Sequence, residues 1–370
     1  MGRTGRGRLA PLVAGLAIVT AGLVATPTPA GAAPEDSDAL VFVSSASGQT
    51  GIARNDTVGV GIGQPVATRP FAGAFTYFGG QSVFLYTPGP TPDGILAIEP
   101  DGTGEGFGTQ FVPKTVNGTY QPVVGDFDGN GYDDVLWYAP GPAADSMWLF
   151  SGNGAHSVRS RTINGTYRPA VIDANGDGHD DIVWYAPGTK PDSLWLSGIQ
   201  GTYTSRPLTI TNDFQLVVGR FGDRPEGSPQ EQLLFWKPGD GERIWTFDSD
   251  AGHTSRAISV PDGEPVVADF DGDGRDAVLY YNPGAAAWEG IVHFFADGSY
   301  SLRSSPHVTG TYDPVVGDYD GDGGDDIAWT REGRATIWLM DPEGATRTQE
   351  TVDLGITDSR AFAAEILVPG

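Results

Sequence analysis

The sequence predicts an all-β fold: a seven-bladed β-propeller of four-stranded blades, closed by pairing of the N- and C-terminal strands. Three observations predict it. A segment of about 48 residues recurs along the chain, each copy contains four short strand-like segments, and the two ends of the chain supply complementary parts of one further copy. No stretch of the sequence has a convincing helical period of apolar residues.

The repeat is clearest in two neighbouring copies. They begin at Asn117-Gly-Thr-Tyr and Asn164-Gly-Thr-Tyr, and both continue through an Asp-Asp pair and an aromatic pair to a Pro-Gly turn that ends at Gly141 or Gly188. Further copies begin near Pro265 and Pro314, and degenerate copies begin near Pro70 and Leu216. This repetition overrides the expectation of two or more domains that length alone suggests.

Each copy is predicted to form four strands that differ in polarity. The first three are apolar and the fourth is polar, as in the segment from Ser157 to Ile163. Strands that are apolar on both faces suit blades that are sandwiched between neighbouring blades. The tryptophans in the middle of the third strands are therefore predicted to be core residues: Trp148, Trp195, Trp245 and Trp338.

The two ends of the chain look like parts of a single blade. Residues 38–42 match residues 134–138 of a second strand, and residues 361–367 have the pattern of a first strand. One blade is therefore expected to be assembled from both termini, which leaves no exposed sheet edge. Counting this blade gives seven.

The first 32 residues have the three-part pattern of a secretory signal. Three arginines precede an uncharged apolar run from Leu12 to Val24, and small residues lead to a predicted cleavage site after Ala32. The apolar run is shorter than the ~20 residues that a membrane-spanning helix needs. We therefore expect a secreted protein without a membrane span, with a signal peptide at residues 1–32 and a propeller at residues 33–370.

The charge of the chain limits its partners. Residues 1–32 contain three of the 22 Lys and Arg and none of the 47 Asp and Glu, which leaves a formal charge of −28 on the rest. Such a charge disfavours nucleic acid and anionic lipid, and it favours divalent cations. The sequence has no cysteine, so packing, hydrogen bonds or metal must stabilise the exported chain in place of disulfides.

Four copies carry an Asp-rich loop of nine residues between the first and second strands. The loops span residues 126–134, 173–181, 269–277 and 318–326. Oxygen ligands at positions 1, 3, 5 and 9, with the backbone carbonyl of position 7, suit a cation of the size of Ca²⁺, and glycine at position 6 permits the sharp turn. Asp, Asn and Gly are also common in hairpins, but a hairpin does not require acidic or amide groups at alternating positions.

These loops predict three full calcium sites and one partial site. The full sites comprise Asp126, Asp128, Asn130, Tyr132 and Asp134; Asp173, Asn175, Asp177, His179 and Asp181; and Asp318, Asp320, Asp322, Gly324 and Asp326. The partial site comprises Asp269, Asp271, Asp273 and Arg275, because Ala277 removes the ninth ligand and leaves a weaker site or one completed by water. The corresponding segments 74–82 and 220–232 lack the pattern, so metal is not expected in every blade.

The Asp-x-Asp-x-(Asp/Asn)-Gly-x-x-Asp loops between apolar strands resemble the FG-GAP or VCBS repeats of integrin α-subunit propellers and of calcium-binding propeller lectins. The resemblance covers residues 38–370. It implies a propeller with calcium in hairpins on its lower face and with ligands taken on the opposite face. It implies no single ligand, since one scaffold hosts many functions.

Aromatic residues are predicted at the end of the blades opposite the metal loops. They are Tyr138, Tyr185, Trp236, Tyr281, Tyr120, Tyr167 and Tyr312. Aromatic faces stack on sugar rings, so these residues are candidates for a lectin-like, ligand-binding surface. The alternative is that they pack between the blades and only support the turns.

The sequence contains no recognisable catalytic motif. None of the five histidines lies in a nucleophile motif, and Gly-x-Ser-x-Gly, His-Glu-x-x-His and Walker motifs are absent. We therefore expect a monomeric, non-enzymatic module that recognises an extracellular glycan or protein ligand. Two alternatives stay open: a lyase or glycosidase whose acids converge at the central channel, where Glu289 or His293 deserve scrutiny, and a surface scaffold without a small ligand.

Overall fold

The computed structural model describes a chain of short β-strands. It covers residues 38–44, 50–54, 57–60, 69–76, 82–90, 92–100, 107–188, 190–222, 230–237, 239, 242–284, 289–305, 307–331, 334–340, 346–353 and 359–364. The predicted signal peptide, residues 1–32, lies outside these ranges. Within them, a 3-10 turn at Ile199–Gly201 is the one helical segment, and no helix has the length and apolar character needed to cross a membrane.

The strands follow the chain in a regular order. The first three are β1 (Ala39–Ser44), β2 (Thr50–Arg54) and β3 (Thr57–Val60). The next are β4 (Arg69–Gly73), β5 (Ser82–Tyr86), β6 (Asp93–Pro100) and β7 (Phe107–Lys114); β8 (Gln121–Gly125), β9 (Asp134–Tyr138), β10 (Asp145–Phe150) and β11 (His156–Arg161); β12 (Arg168–Ile172), β13 (Asp181–Tyr185), β14 (Asp192–Gly198) and β15 (Thr202–Leu208). The rest are β16 (Gln215–Gly219), β17 (Gln232–Trp236), β18 (Arg243–Phe247) and β19 (His253–Ala257); β20 (Glu264–Ala268), β21 (Ala277–Tyr281), β22 (Gly290–Phe294) and β23 (Tyr300–Ser304); β24 (Asp313–Gly317), β25 (Asp326–Arg331), β26 (Arg334–Met340) and β27 (Thr346–Asp353); and β28 (Ser359–Ala364).

The prediction of seven blades is wrong. Six blades consist of four consecutive antiparallel strands each, from β4–β7 to β24–β27. For the remaining sheet the chain supplies only three consecutive strands, β1–β3, and β28 pairs with β1 from the other end, with Val41 opposite Phe362. The described residues therefore form six continuous blades and one composite sheet.

The blades are arranged around an axis lined by their first strands. β8 contacts β12, β12 contacts β16, β16 contacts β20, and β20 contacts β24. β28 contacts both β24 and β4, so the composite sheet lies between the last and the first continuous blades. This arrangement is a β-propeller.

Burial differs between the strands of a blade. Every residue of the second strands β9, β13 and β21 is buried, whereas the fourth strands β15 and β19 expose most of their side chains. The second strand is covered by neighbouring blades on both faces, and the fourth forms the outer edge. The sequence prediction of three apolar strands followed by a polar one is confirmed here.

Aromatic rings fill the space between blades. Trp137 of β9 lies with its ring centroid 5.3 Å from that of Phe84, which belongs to β5 of the preceding blade, and 5.4 Å from that of Trp148. The core prediction is confirmed for Trp195, Trp245 and Trp338, whose exposed fractions are 8%, 7% and 6%. Trp148 is half-buried and stacks on His156, with ring centroids 4.0 Å apart.

Candidate metal-binding loops and an inter-blade groove

The Asp-rich loops lie together at one end of the propeller, which we call the loop face. They comprise residues 126–134, 173–181, 269–277 and 318–326, and each joins the first and second strands of a blade. The glycine at position 6 has a positive φ in all four loops, as the sequence predicted: Gly131 89°, Gly178 84°, Gly274 83° and Gly323 93°. An L side chain is strained in this conformation, so glycine is the residue that allows the loop to turn back on itself.

The aspartate at position 1 organises each loop from within. Asp126 accepts hydrogen bonds from the N–H groups of Asn130 and Gly131, at 3.0 and 2.7 Å. Asp173 accepts in the same way from Gly176 and Gly178, at 2.7 and 3.1 Å. These hydrogen bonds are made by protein groups alone, and they hold the loop backbone around the carboxylate.

The aspartate at position 9 ties the loop to the third strand. Asp134 is completely buried and accepts from the N–H groups of Phe127 and Phe150, at 3.0 and 2.8 Å. Asp181 and Asp326 make the equivalent pairs of contacts. Burial raises the pKa of Asp134 to about 9, and those of Asp181 and Asp326 to about 8, because desolvation disfavours the charged form.

Three of the loops bring carboxylates close together. One oxygen from each of three acids lies within 4.8 Å of the others in these groups: Asp126, Asp128 and Asp134; Asp318, Asp320 and Asp326; and Asp269, Asp271 and Asp273. Asp128 Oδ1 and Asp269 Oδ1 are buried without a hydrogen-bond partner. Converging carboxylate oxygens of this kind suit a hard divalent cation, which removes both the repulsion and the unsatisfied acceptors.

The loop at 173–181 is arranged differently. Its position 3 is Asn175, whose amide donates to Asp177 Oδ2 at 3.0 Å, and Asp177 Oδ1 accepts from the backbone N–H of His179 at 2.9 Å. The His179 ring lies against the neighbouring loop, since a Cβ added at Gly129 would lie 2.8 Å from its Nε2. The ring therefore contacts the backbone of another blade, a placement that sequence spacing did not indicate.

The loop at 269–277 has a histidine beside it. Arg275 Nη1 pairs with Asp273 Oδ2 at 2.7 Å, and His293 Nδ1 lies 4.0 Å from Asp271 Oδ2. Burial lowers the pKa of His293, so the neutral imidazole is favoured. The sequence showed His293 as unique to its blade, but only the structure places it at this loop.

The acid at position 8 links neighbouring blades. The N–H of Asp180 donates to the carbonyl of Asp126 at 2.8 Å, and the Asp180 carboxylate accepts from the N–H of Asp126 at 2.7 Å. We call this pair of hydrogen bonds a clasp, and it recurs at six junctions. The acids that form it are Asp133, Asp180, Glu231, Asp276, Asp325 and Asp38.

The clasp at Asp276 differs from the others in its partner. The position-1 residue of the preceding blade is Arg220, a buried side chain whose Nη2 lies 3.2 Å from Asp276 Oδ1. A guanidinium therefore occupies the position that an aspartate has in the metal-type loops.

At the opposite end, which we call the rim face, tyrosines support the turns between blades. The Tyr138 hydroxyl donates to the carbonyl of Gly165 at 2.9 Å and accepts from the N–H of Tyr167 at 2.9 Å. Tyr185 and Tyr281 make equivalent pairs of contacts, and all three tyrosines are completely buried. These three tyrosines are core residues that support the turns, as the alternative to a ligand-binding role predicted.

The remaining predicted rim aromatics are more accessible. Tyr120, Tyr167, Tyr312 and Trp236 are half-buried. The ring of Tyr167 lies 5.9 Å from that of Trp184, and the ring of Tyr120 lies 6.1 Å from that of Trp137. Part of each ring therefore packs against the core while part reaches the surface.

A groove of about 420 Å³ opens on the rim face between the blades β12–β15 and β16–β19. Trp236 and Phe214 lie along it, and the indole nitrogen of Trp236 has no hydrogen-bond partner. Arg168 Nη1 and Asp213 Oδ1 form an ion pair of 2.6 Å at the groove, with side chains 59% and 64% exposed. Of the aromatics predicted from sequence, Trp236 and the buried Tyr185 line this groove.

Glu289, the isolated acid that the sequence left open as a catalytic candidate, has a structural role. Its carboxylate accepts from the N–H groups of Asn282 and Val308, at 3.4 and 2.8 Å. Asp145 makes the same pair of contacts with Ala139 and Ile163 at the same point of its blade. Glu289 is therefore the counterpart of a repeated acid that secures the rim turns.

A comparison with protein-family models bears on these repeats. The model of the FG-GAP repeat matches residues 118–158 and 165–202. The chain contains FG-GAP repeats. The two FG-GAP matches include the loops at 126–134 and 173–181, and the loops at 269–277 and 318–326 share their glycine geometry outside the matched ranges. No curated protein sequence matches the chain.

Solved structures share the fold of this chain. A lectin from Agrocybe aegerita, described as recognising non-reducing terminal N-acetylglucosamine, is 14% identical with a TM-score of 0.68, over 90% of this chain and 96% of the lectin. A protein from Lactobacillus plantarum is 14% identical with a TM-score of 0.56, over 90% of this chain and 99% of that protein. At 14% identity, these likenesses show a shared fold.

Proposed function

We propose that the protein is a secreted, calcium-binding recognition module that takes a glycan in the groove on the rim face. The observation that carries the glycan proposal is the composition of this groove: the half-buried Trp236 ring beside an exposed Arg168–Asp213 pair. A sugar ring offers an apolar C–H face to an aromatic ring and hydroxyl groups to charged side chains. The volume of about 420 Å³ is within the range of small-ligand sites.

The first test removes the aromatic surface of the groove. We expect Trp236→Ala to weaken binding of the best ligand from a glycan array by at least about tenfold, because truncating a central aromatic residue removes a large part of the binding energy. Affinity is measured by calorimetric titration with the full chain. Trp236→Phe, which keeps an aromatic face, should retain most of the affinity.

The matched control for this test is Tyr203→Ala. Tyr203 is 42% exposed and stacks on Trp195 in the outer strand β15, away from the groove. The glycan proposal is contradicted if Trp236→Ala binds as the unchanged chain does, or if the control loses binding instead. Release of shortened or unsaturated sugars from the ligand would favour the enzymatic alternative.

We propose calcium as the ion of the loop face. The support is the convergence of carboxylates at Asp126, Asp128 and Asp134 and at Asp318, Asp320 and Asp326. Oxygen-only ligand sets of this kind are those that Ca²⁺ prefers. Calcium bound at these loops stabilises the folded chain, since the unfolded chain does not preserve the site.

The calcium proposal predicts a loss of stability on chelation. EGTA should lower the melting temperature, because about 2.7 kcal/mol of stabilisation per site is lost when the ion had been present at about 100 times its Kd. Asp128→Asn should reduce the calcium effect, whereas Asp297→Asn should not, because Asp297 lies in an exposed hairpin and contacts only Ser299. A melting curve that is the same in EGTA and in calcium would contradict the proposal.

We propose export through residues 1–32, on the basis of their charge and hydropathy pattern. Expression of the full chain in a secreting bacterial host should release a protein whose N-terminus follows Ala32, as read by N-terminal sequencing. Recovery of the uncleaved chain inside the cells would contradict it.

A further inference from the structure

The loop at 269–277 is the least suited of the acidic loops to calcium. Its ninth position is Ala277, so the buried carboxylate that Asp134 supplies in the loop at 126–134 is missing. Its fifth-position acid, Asp273, is already paired with Arg275 at 2.7 Å. Calcium takes six to eight oxygen ligands, and this loop lacks the ninth-position carboxylate that the other three loops have, while a guanidinium partly neutralises another of its carboxylates.

A histidine occupies the adjacent position on the third strand. His293 lies four residues after Glu289, as Leu149 lies four residues after Asp145, and the two acids make equivalent contacts. The strand β22 therefore carries an imidazole where β10 carries leucine. His293 shares a face of the blade with Ile291, which packs in the same cluster as Ala277.

The His293 imidazole is buried, and one of its two nitrogens is unsatisfied. The residue is 6% exposed, and its Nε2 has no hydrogen-bond partner. Its Nδ1 faces Asp271 Oδ2 at 4.0 Å, which is too long for a hydrogen bond. The Nδ1 atom thus lies beside a carboxylate oxygen without a hydrogen bond to it, at a separation that leaves room for an ion between them.

The distances suit an ion between the imidazole and the carboxylates. Ligands about 2 Å from a tetrahedral ion lie roughly 3.3 Å apart, so a small rotation closes the 4.0 Å gap between His293 and Asp271. Oxygens of Asp269, Asp271 and Asp273 already lie within 4.8 Å of one another. Asp269 Oδ1 is a second buried atom without a hydrogen-bond partner in the same group.

We propose that Asp269, Asp271 and His293, with Asp273 beside them, form a mixed carboxylate–imidazole site that takes a first-row transition cation such as Zn²⁺ in preference to Ca²⁺. Imidazole nitrogen is a ligand of Zn²⁺, Co²⁺ and Ni²⁺, whereas Ca²⁺ takes oxygen ligands. Three or four ligands complete a zinc site but not a calcium site. The protein then carries two kinds of metal site on one face, and the site of this blade is independent of the glycan groove.

The test measures zinc binding in the presence of calcium. The full chain is freed of metal with chelator, equilibrated with excess Ca²⁺, and titrated with Zn²⁺ by equilibrium dialysis with elemental analysis. We expect one tightly bound Zn²⁺ per chain, and we expect His293→Leu, which restores the residue found at Leu149, to weaken zinc binding at least tenfold. Co²⁺ added in place of Zn²⁺ should give visible absorption bands that His293→Leu removes.

Two further variants make the outcome specific. His179→Gln removes the histidine of the loop at 173–181, which lies 3.0 Å from Asp177, and it should leave zinc binding unchanged. The double variant Ala277→Asp/His293→Leu supplies the ninth-position aspartate and the third-strand leucine that Asp134 and Leu149 provide in the blade β8–β11, so it should lose zinc and bind additional Ca²⁺. Circular dichroism and melting curves confirm that each variant is folded.

The proposal is overturned if no Zn²⁺ binds in the presence of excess Ca²⁺, if His293→Leu retains it, or if His179→Gln loses it. The zinc measurement uses no glycan, so its result does not depend on whether the protein binds a glycan. If calcium does not stabilise the chain, the melting temperature will be the same with and without EGTA. The zinc titration measures bound zinc directly, so its result can still be interpreted.

Discussion

Residues of the same type have different roles in this propeller, according to their burial and hydrogen-bond partners. Asp126 holds loop backbone groups, Asp134 is buried against the third strand, and Asp180 bridges two blades. The sequence reads each as an acid of one repeated loop. Their different surroundings explain why substitution should have a different effect at each position.

The buried tyrosines of the rim face allow a prediction at the scale of one residue. Tyr138→Phe removes a hydroxyl that both donates to Gly165 and accepts from Tyr167. Because a buried backbone N–H and carbonyl then lose their partner, we expect the free energy of unfolding to fall by about 1–3 kcal/mol. Urea denaturation of the calcium-loaded chain measures this change.

Tyr120→Phe is the control for this substitution. The Tyr120 hydroxyl makes one long contact of 3.4 Å with the carbonyl of Asn117, at the exposed surface. Its loss should change stability by less than about 0.5 kcal/mol. Equal effects of the two substitutions would mean that the buried hydroxyl contributes nothing specific to the turn.

The loops between first and second strands act as connectors between blades as well as candidate ion sites. Each clasp joins backbone groups of one loop to an acid in the next, and six junctions share it although Glu231 replaces aspartate at one and Arg220 precedes another. The acid is retained whether or not the loop has the metal pattern. The eighth position therefore serves packing between blades, separately from metal binding.

The clasp predicts that substitution of Asp180, which links two blades, lowers the free energy of unfolding strongly. Asp180 is 2% exposed and accepts from the N–H of Asp126 at 2.7 Å. Asp180→Ala leaves that N–H without its acceptor and opens a cavity, so we expect a loss of about 2–4 kcal/mol in the free energy of unfolding. Asp180→Asn keeps an acceptor oxygen and should recover most of this loss.

Asp250→Ala provides the comparison for Asp180→Ala. Asp250 is exposed in the hairpin between β18 and β19, so its substitution removes a charge without breaking a junction between blades. Denaturant unfolding monitored by tryptophan fluorescence compares the three variants. A stability of Asp180→Ala close to that of Asp250→Ala would contradict a stabilising role of the clasp.

The molecule as a whole gathers buried carboxylates with raised pKa values at one face. Burial raises the pKa of Asp318 to about 6, that of Asp269 to about 7 and that of Asp134 to about 9. A group with a raised pKa binds its proton more tightly in the folded state. Its contribution to stability is complete below the ordinary value of about 3.8 and is lost as pH rises through the raised value.

The size of the pH dependence should therefore depend on metal. In EGTA, we expect the melting temperature to fall as pH rises from about 5 to about 9, because the loop-face carboxylates lose their protons without a counter-ion. In saturating calcium the fall should be small or absent, since the cation binds the deprotonated oxygens. The difference between the two melting temperatures should grow with pH, and a difference that is constant over this range would contradict the assignment.

Local spacing in the sequence was sufficient for much of the fold and for part of the site. Alternation of apolar and polar segments predicted the strands, and the glycine at position 6 predicted a turn that Gly131 makes with a φ of 89°. The partial copies of the repeat at the two ends predicted the pairing of β1 with β28. These features depend on residues close in the chain or on repetition, which a single sequence displays.

The sequence by itself determined the strands, the repeat and the acidic loops of this protein. Only the tertiary structure decided which acids face an ion and which bridge blades, that His293 lies beside Asp271, and that Trp236 borders a groove with Arg168. Contacts of this second kind join residues of different strands or blades, such as Asp126 and Asp180, 54 positions apart. They depend on how the surfaces of neighbouring strands and blades pack together. The spacing of residues within one repeat does not specify which side chains meet across such a surface.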